Sequence, residues 1–348
     1  MKKVLGGLVL ALVVFLIALA VLPARIDPVE WEPSAAPKAE GVLALNDKLK
    51  AAVPLAPEVQ GAEEISFDTN GNIITGLPDG RVVRMTAEGQ NLTELVNTHG
   101  RPLGTRYAAD GRLLIADAEK GLLALGADGK LEELVPTGKE IHVVDDLAIA
   151  QSGVIYYSDA STRFPFVQYI DDVFEHRGSG RVMRYDPATK ENTQLATGLS
   201  FANGVALGPN DEYLLVNETG GNRIWRIWLT GAKSGQRDVF LDALPGFPDN
   251  LTWSPSRKVF WVALFGPRDP IVDGLAGLPL LRKMFSHLPV PPQARDAHVI
   301  AVDESGKIVD SLEWKSADSF SPITSVIERD GWLYLGSLTH AGIAKVKL

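Results

Sequence analysis

From about residue 61 onward, hydrophobic and polar positions follow one phrase that recurs six times: a short apolar strand start, a polar turn, then a second apolar strand. The strand starts are Ile65, Thr105, Leu147, Val205, Leu251 and Ser325, and the turns fall at Gly71, Gly111, Gly153, Asp211, Arg257 and Gly331. A third strand generally follows, as in Gly180–Asp186 and Asn222–Trp228. Repeats of roughly 40 residues built from short alternating strands predict β-propeller blades. Two intervals are longer because they carry insertions, at 163–178 and 267–297. The pattern therefore predicts an all-β, six-bladed propeller over 46–348. A β-sandwich would show similar strands locally, but not six copies in register.

The first strand of a blade lines the central channel, so residues of equal phase in the repeat converge on the axis. Two places before each strand start stand Glu63, Leu103, Asp145, Asn203, Asp249 and Ile323. Four of these six carry a side-chain oxygen. Three carboxylates in a narrow channel repel one another, and burial makes bare charge costlier still. A hard divalent cation resolves the conflict, and an all-oxygen donor set suits calcium better than magnesium or manganese. Turn capping by Asp and Asn is the plainer explanation, but it leaves the shared phase unexplained.

The ring must also close. The last repeat stops after its third strand, and Lys48–Val53 resembles the fourth strands of other blades, so it is expected to complete the sixth blade and remove an exposed edge. Ahead of it, Met1-Lys2-Lys3 precedes nineteen uncharged residues, Val4–Leu22. Their length and the flanking lysines fit a transmembrane signal-anchor over 1–22, with the body on the exported side. A cleaved signal peptide ending at Ala18-Leu19-Ala20 is the alternative. Residues 23–45, rich in Pro and Ala, read as a linker.

Net charge is −9 with no basic stripe, which disfavours nucleic acid as a partner. The absence of cysteine excludes disulfides, thiolate metal sites and cysteine nucleophiles. No Ser-His-Asp elbow, zinc-protease helix or phosphate-cradling loop is visible.

Several motifs together carry a resemblance: GAEEISFD at Gly61, GRPLG at Gly100, VVDDLAI at Val143, FANGVALGP at Phe201, PGFPDN at Pro245 and DGWLYLGSL at Asp330. The chain resembles the strictosidine synthase-like proteins, in the branch that includes the adipocyte plasma membrane-associated proteins, within the wider gluconolactonase/paraoxonase-like calcium propellers. The resemblance implies a six-bladed propeller with an axial calcium, whose ligands would fall on Glu63, Asp145, Asn203 and Asp249. Two departures matter. Asp145 stands where the family usually has Asn, and Thr324 stands where strictosidine synthase has its condensing glutamate, which disfavours amine–aldehyde condensation.

The expected activity is hydrolysis of a small-molecule lactone or aryl ester by a membrane-tethered enzyme, with Asp249 as base or nucleophile beside the calcium. Asn250, Asp146 and His142 are candidates for contacts to water, substrate or metal ligands. Asp117, Asp159, Glu218 and His340 are expected around the mouth, with His340 as the candidate proton shuttle or substrate contact. In the inserts, Leu281, Met284, Phe285 and Leu288 repeat at helical spacing over 278–288, as a core stripe, a lid or a membrane-resting helix. Phe164, Phe166, Tyr169 and Phe174 are expected as an aromatic wall. The alternative function is a non-catalytic, calcium-stabilised binding propeller.

Overall fold

The computed structural model describes residues 14–15, 18–289 and 295–348. Six four-stranded antiparallel sheets follow one another around an axis. Blades I to V are continuous in sequence, with innermost strands at Ser66–Phe67, Pro102–Tyr107, Val144–Ile149, Ala202–Leu207 and Gly246–Ser254. Blade VI takes Ser325–Arg329, Trp332–Gly336 and Ala341–Lys347 from the C-terminal end and its outer strand from Val53–Gln60. The six-bladed propeller read from the repeat is the observed fold.

The closing strand lies later than expected. Lys48–Ala51 is a 3₁₀ turn, and the pairing begins at Val53, opposite Lys345. Pro54 is tolerated because an outermost strand leaves one row of its backbone unpaired. Leu49 still serves the core: it is buried against Trp261, Val299 and Leu333 at the junction of blades V and VI.

The blades pack through apolar faces. Leu114, Tyr157 and Met183 join blades II and III, and Tyr213, Phe260 and Ile300 join IV and V. Strands buried on both faces read as near-continuous apolar runs, as in Val259–Pro267.

The two insertions form a layer of short helices: a 3₁₀ turn at Phe166–Gln168, then α1 (Tyr169–Glu175), α2 (Pro270–Gly274) and α3 (Pro279–Phe285). Proline at the first helical turn suits α2 and α3, and Asp269 caps α2 by accepting from Ile271 N and Val272 N. The stripe expected on α3 is turned outward: Leu281 and Phe285 are exposed, whereas Arg282 is 0 % exposed. It is therefore not a core stripe.

The segment expected as a linker is bonded into this layer. Val29 N donates to Glu175 O and Trp31 N to Ala276 O. Arg282 donates to the carbonyls of Val29, Phe174 and Ala276, and its guanidinium lies 4.3 Å from the Trp31 ring centre. Among the described residues no helix is long and apolar enough to cross a membrane. The expected anchor at Val4–Leu22 falls mostly outside the described residues.

Candidate functional site

The innermost strands of blades II to V share one irregularity. Between Pro102 and Thr105, Val144 and Leu147, Ala202 and Val205, and Pro248 and Leu251, three steps on the inner strand face two on its neighbour. Each is a β-bulge, which leaves one residue outside the ladder and re-aims its side chain. The bulged pairs are Leu103-Gly104, Asp145-Asp146, Asn203-Gly204 and Asp249-Asn250. Glu63-Glu64 and Ile323-Thr324 hold the same place just ahead of the inner strands of blades I and VI.

The first member of each polar pair faces one pocket. Glu63, Asp145, Asn203 and Asp249 line it together with Phe166, Tyr169, Phe201, Thr219, Phe265 and Leu338. Leu103 and Ile323, at the same phase, are fully buried apolar neighbours. The cavity is about 30 Å³, room for an ion or a water molecule or two rather than a lactone ring.

The second members tie blade to blade. Glu64 Oε2 accepts from Thr105 N at 3.1 Å, Asp146 Oδ2 from Val205 N at 2.8 Å, and Asn250 Nδ2 donates to Thr324 O at 3.1 Å. Blades I, III and V thus reach blades II, IV and VI, where the matching positions are Gly104, Gly204 and Thr324. Gly204 is required by the next contact round the ring, between blades IV and V, since a Cβ there would stand 2.5 Å from Asn250 Cα. Thr324 is fully buried and its hydroxyl donates to Glu63 O at 2.6 Å.

The electrostatics are severe. Burial, followed by the neighbouring Asp145 charge, pushes the Glu63 carboxyl well above the usual range. Burial and then Glu63 do the same to Asp249, and burial and then Asp146 to Asp145. Glu63 Oε2, Asp145 Oδ1 and Asn250 Oδ1 are buried without any hydrogen-bond partner. Orphaned acceptors beside mutually repelling carboxylates fit a hard cation. Asn203 adds a neutral amide oxygen to the three carboxylates of the lining.

Two cations were not singled out from the sequence. Arg101 is 6 % exposed, donates to Gly61 O at 3.2 Å, and its charge lowers the Glu63 pKa. Arg106 pairs with Glu64 and, at 3.6 Å, with Asp146. Their signal was present only as charged residues inside or beside an inner strand, where water-facing side chains are not expected.

The remaining candidates sit elsewhere. Asp117 Oδ1 accepts from the backbone of Arg101, Glu119 and Lys120. Asp159 accepts from His142 N and Val143 N and pairs with Arg181. Glu218 accepts from Ser200 N and Trp225 Nε1. These three brace turns. His340 is not in the pocket lining; its ring lies 4.5 Å from Phe320, and Nδ1 is 2.8 Å from Ala341 O. The His142 side chain is exposed. Of the aromatic wall, Phe166 and Tyr169 reach the pocket, and Phe201 and Phe265 complete it. Burial, then the Asp249 charge, raises the Tyr169 hydroxyl to about 12, so it stays protonated.

These features define a six-bladed propeller with an acidic, bulge-presented axial pocket. The family model for strictosidine synthase matches residues 145–232, and that for the strictosidine synthase-like N-terminal region matches 41–85. The adipocyte plasma membrane-associated protein of Rattus norvegicus is 32% identical, over 95% of this chain and 95% of its own length. The chain belongs to the strictosidine synthase-like family. Among solved structures, a gluconolactonase from Xanthomonas campestris superposes with a TM-score of 0.62 at 18% identity, covering 94% of this chain and 99% of the other. A calcium-binding regucalcin from Agrobacterium tumefaciens gives 0.57 at 15%, covering 84% and 90%. At these identities the two structural likenesses concern the fold.

Proposed function

We propose that this protein is a calcium-dependent hydrolase of lactones or aryl esters, held at a membrane by its N-terminal stretch. One observation carries the reading: three buried carboxylates and an amide, delivered by the same position of four blades, meet in a pocket with unpartnered oxygens. Glu63, Asp145, Asn203 and Asp249 would hold the ion. When bound, calcium polarises a carbonyl oxygen and stabilises the charge that develops on it.

The chain's own residues supply the rest. Asp249 is the candidate base for water, or the direct nucleophile, once positive charge in the pocket offsets the burial and the Glu63 charge that push its carboxyl upward. Tyr169 offers a neutral hydroxyl beside it, and the aromatic roof excludes bulk water. Gluconolactonase-like relatives in fold and the membrane-associated name of the rat relative support the chemistry and the location. A condensing role is disfavoured because Thr324 is buried and spoken for by Glu63 O.

The size of the cavity favours a second reading, a non-catalytic propeller in which calcium stiffens the channel. A substrate larger than about two waters needs the Phe166–Tyr169 side of the pocket to shift. An assay of the purified protein on a panel of lactones and aryl esters, with and without chelator, separates the two. Chelator-sensitive turnover supports the hydrolase, and calcium binding without turnover of any panel member supports the binding propeller.

A further inference from the structure

Exposed large apolar side chains on the blades are scattered singly, as at Leu92, Val239 and Val309, but on the inserts they gather. Val167 (77 % exposed), Ile271 (68 %), Leu278, Leu280, Leu281 and Phe285 all face outward from the helical layer. On α3 the usual order is inverted. Leu278, Leu281 and Phe285 are exposed, while Arg282, at the edge of the same helical face, is fully buried and holds the backbone beneath. A helix that hides its arginine and displays leucine and phenylalanine is not built to face water.

The chain's course says what the surface meets. The uncharged stretch Val4–Leu22 leads directly to Arg25, which donates to Ser286 O at 2.8 Å and pairs with Asp171 at 3.4 Å. The apolar stretch therefore leaves the body beside the C-terminal end of α3. Arg25, Arg163 and Arg177 are exposed on the same layer, and Lys283 is half-buried on α3. The three arginines are already paired with Asp171, Glu175 and Asp27, so the apolar side chains rather than net charge carry the contact.

We infer that α3, the outward side of α2 and the turn at Phe166–Gln168 rest in the headgroup–acyl boundary of a lipid bilayer. The propeller then makes its own membrane contact, in addition to that of the N-terminal stretch. Val167 lies between Phe166 and Tyr169, two residues of the pocket roof, so the roof belongs to the layer in contact with lipid. Substrate reaching this roof comes from the membrane surface, and amphiphilic esters or lactones are favoured over free sugar acids. The membrane contact rests on the membrane association proposed above, and the substrate class rests on the hydrolase reading as well.

The chain has no cysteine, so single probes can be placed cleanly. Leu281→Cys, Phe285→Cys and, as a control on blade V, Val309→Cys are labelled with an environment-sensitive fluorophore. The full chain is reconstituted with phosphatidylcholine–phosphatidylglycerol vesicles containing or lacking acyl-chain spin-labelled lipid. Quenching several-fold stronger at 281 and 285 than at 309 is expected. Equal quenching at all three in protein that floats with the vesicles overturns the docked face and leaves the N-terminal attachment standing; failure to float overturns both. Probes at 281 and 285 shielded from lipid quencher and aqueous iodide alike are covered by protein, which also overturns it. If Leu281→Cys does not fold, Leu280→Cys takes its place.

Discussion

Asn250 Nδ2 donates to Glu63 Oε1 at 2.8 Å, joining residues 187 apart in the chain across the axial channel. The same amide donates to Thr324 O and lies 3.4 Å from Asp249 Oδ1. One neutral side chain thus fixes two candidate ligands from blades I and V and ties them to blade VI.

Replacing that amide by a carboxylate removes these donors and adds another buried carboxyl beside those of Glu63 and Asp249. Asn250→Asp should lower the melting temperature in chelator, with a loss on the order of 2–4 kcal/mol, and calcium should recover part of it. Differential scanning calorimetry with and without calcium reads this directly. A variant that melts with the parent in chelator would show that Asn250 is dispensable to the site.

Calcium should raise the melting temperature of the parent in a concentration-dependent way, because a ligand of the native state stabilises by mass action. Glu63→Gln and Asp145→Asn should need more calcium for the same shift, while relieving repulsion in the metal-free protein. A chelated and refilled sample that shows neither bound metal nor a thermal shift excludes the axial ion.

Asp249→Asn keeps an oxygen in place but removes the base. If the hydrolase reading holds, turnover on the best substrate should fall by about 10²–10⁴ while calcium binding largely survives. Steady-state kinetics across a calcium series decides the matter. Near-normal turnover at saturating calcium would make Asp249 a ligand only.

A pH effect is expected away from the axis. Asp172, on α1, accepts from Ser161 Oγ at 2.5 Å and from Ser179 Oγ, yet burial raises its carboxyl from 3.8 to about 6. Across that window the folded chain holds more protons than the unfolded one, so this group's contribution declines as pH rises and is lost above about pH 6. Asp172→Asn removes the slope. Its melting temperature should gain on the parent from pH 4 to pH 6 and then level off, a difference of up to about 3 kcal/mol. A constant offset between the two across this range would contradict the assignment.

Much of the site was legible because a propeller converts phase into place. Glu63, Asp145, Asn203 and Asp249 share a pocket, as their common position before the inner strands implied. Their bulges were not legible, since an extra residue in one strand leaves the apolar pattern beyond it intact. The partners of the second ring were missed for a related reason: Glu64, Asp146 and Asn250 reach neighbouring blades, and adjacency between blades is not written in any single repeat. The closing strand was displaced because Lys48–Ala51 is polar on alternate positions but turns as a 3₁₀ helix, with Leu49 inward. On α3, periodicity located a stripe but could not say which side faced the protein. Only the carbonyls that Arg282 meets decide that.

Arg282 has one more implication. Its guanidinium gathers carbonyls from three separate stretches, and one of them, Val29, precedes the first blade by more than thirty positions. Arg268 likewise donates to Ser34 O, and Trp31 stacks on His176 at 4.0 Å. The strap ahead of the first blade is therefore also part of the helical layer that carries Tyr169 to the pocket. Cleavage between Arg25 and Ser34 is therefore expected to cost the insert helices the partners that this strap supplies. A clipped form is thus expected to be a protein with a loosened helical layer, and not the same propeller with a shorter lead.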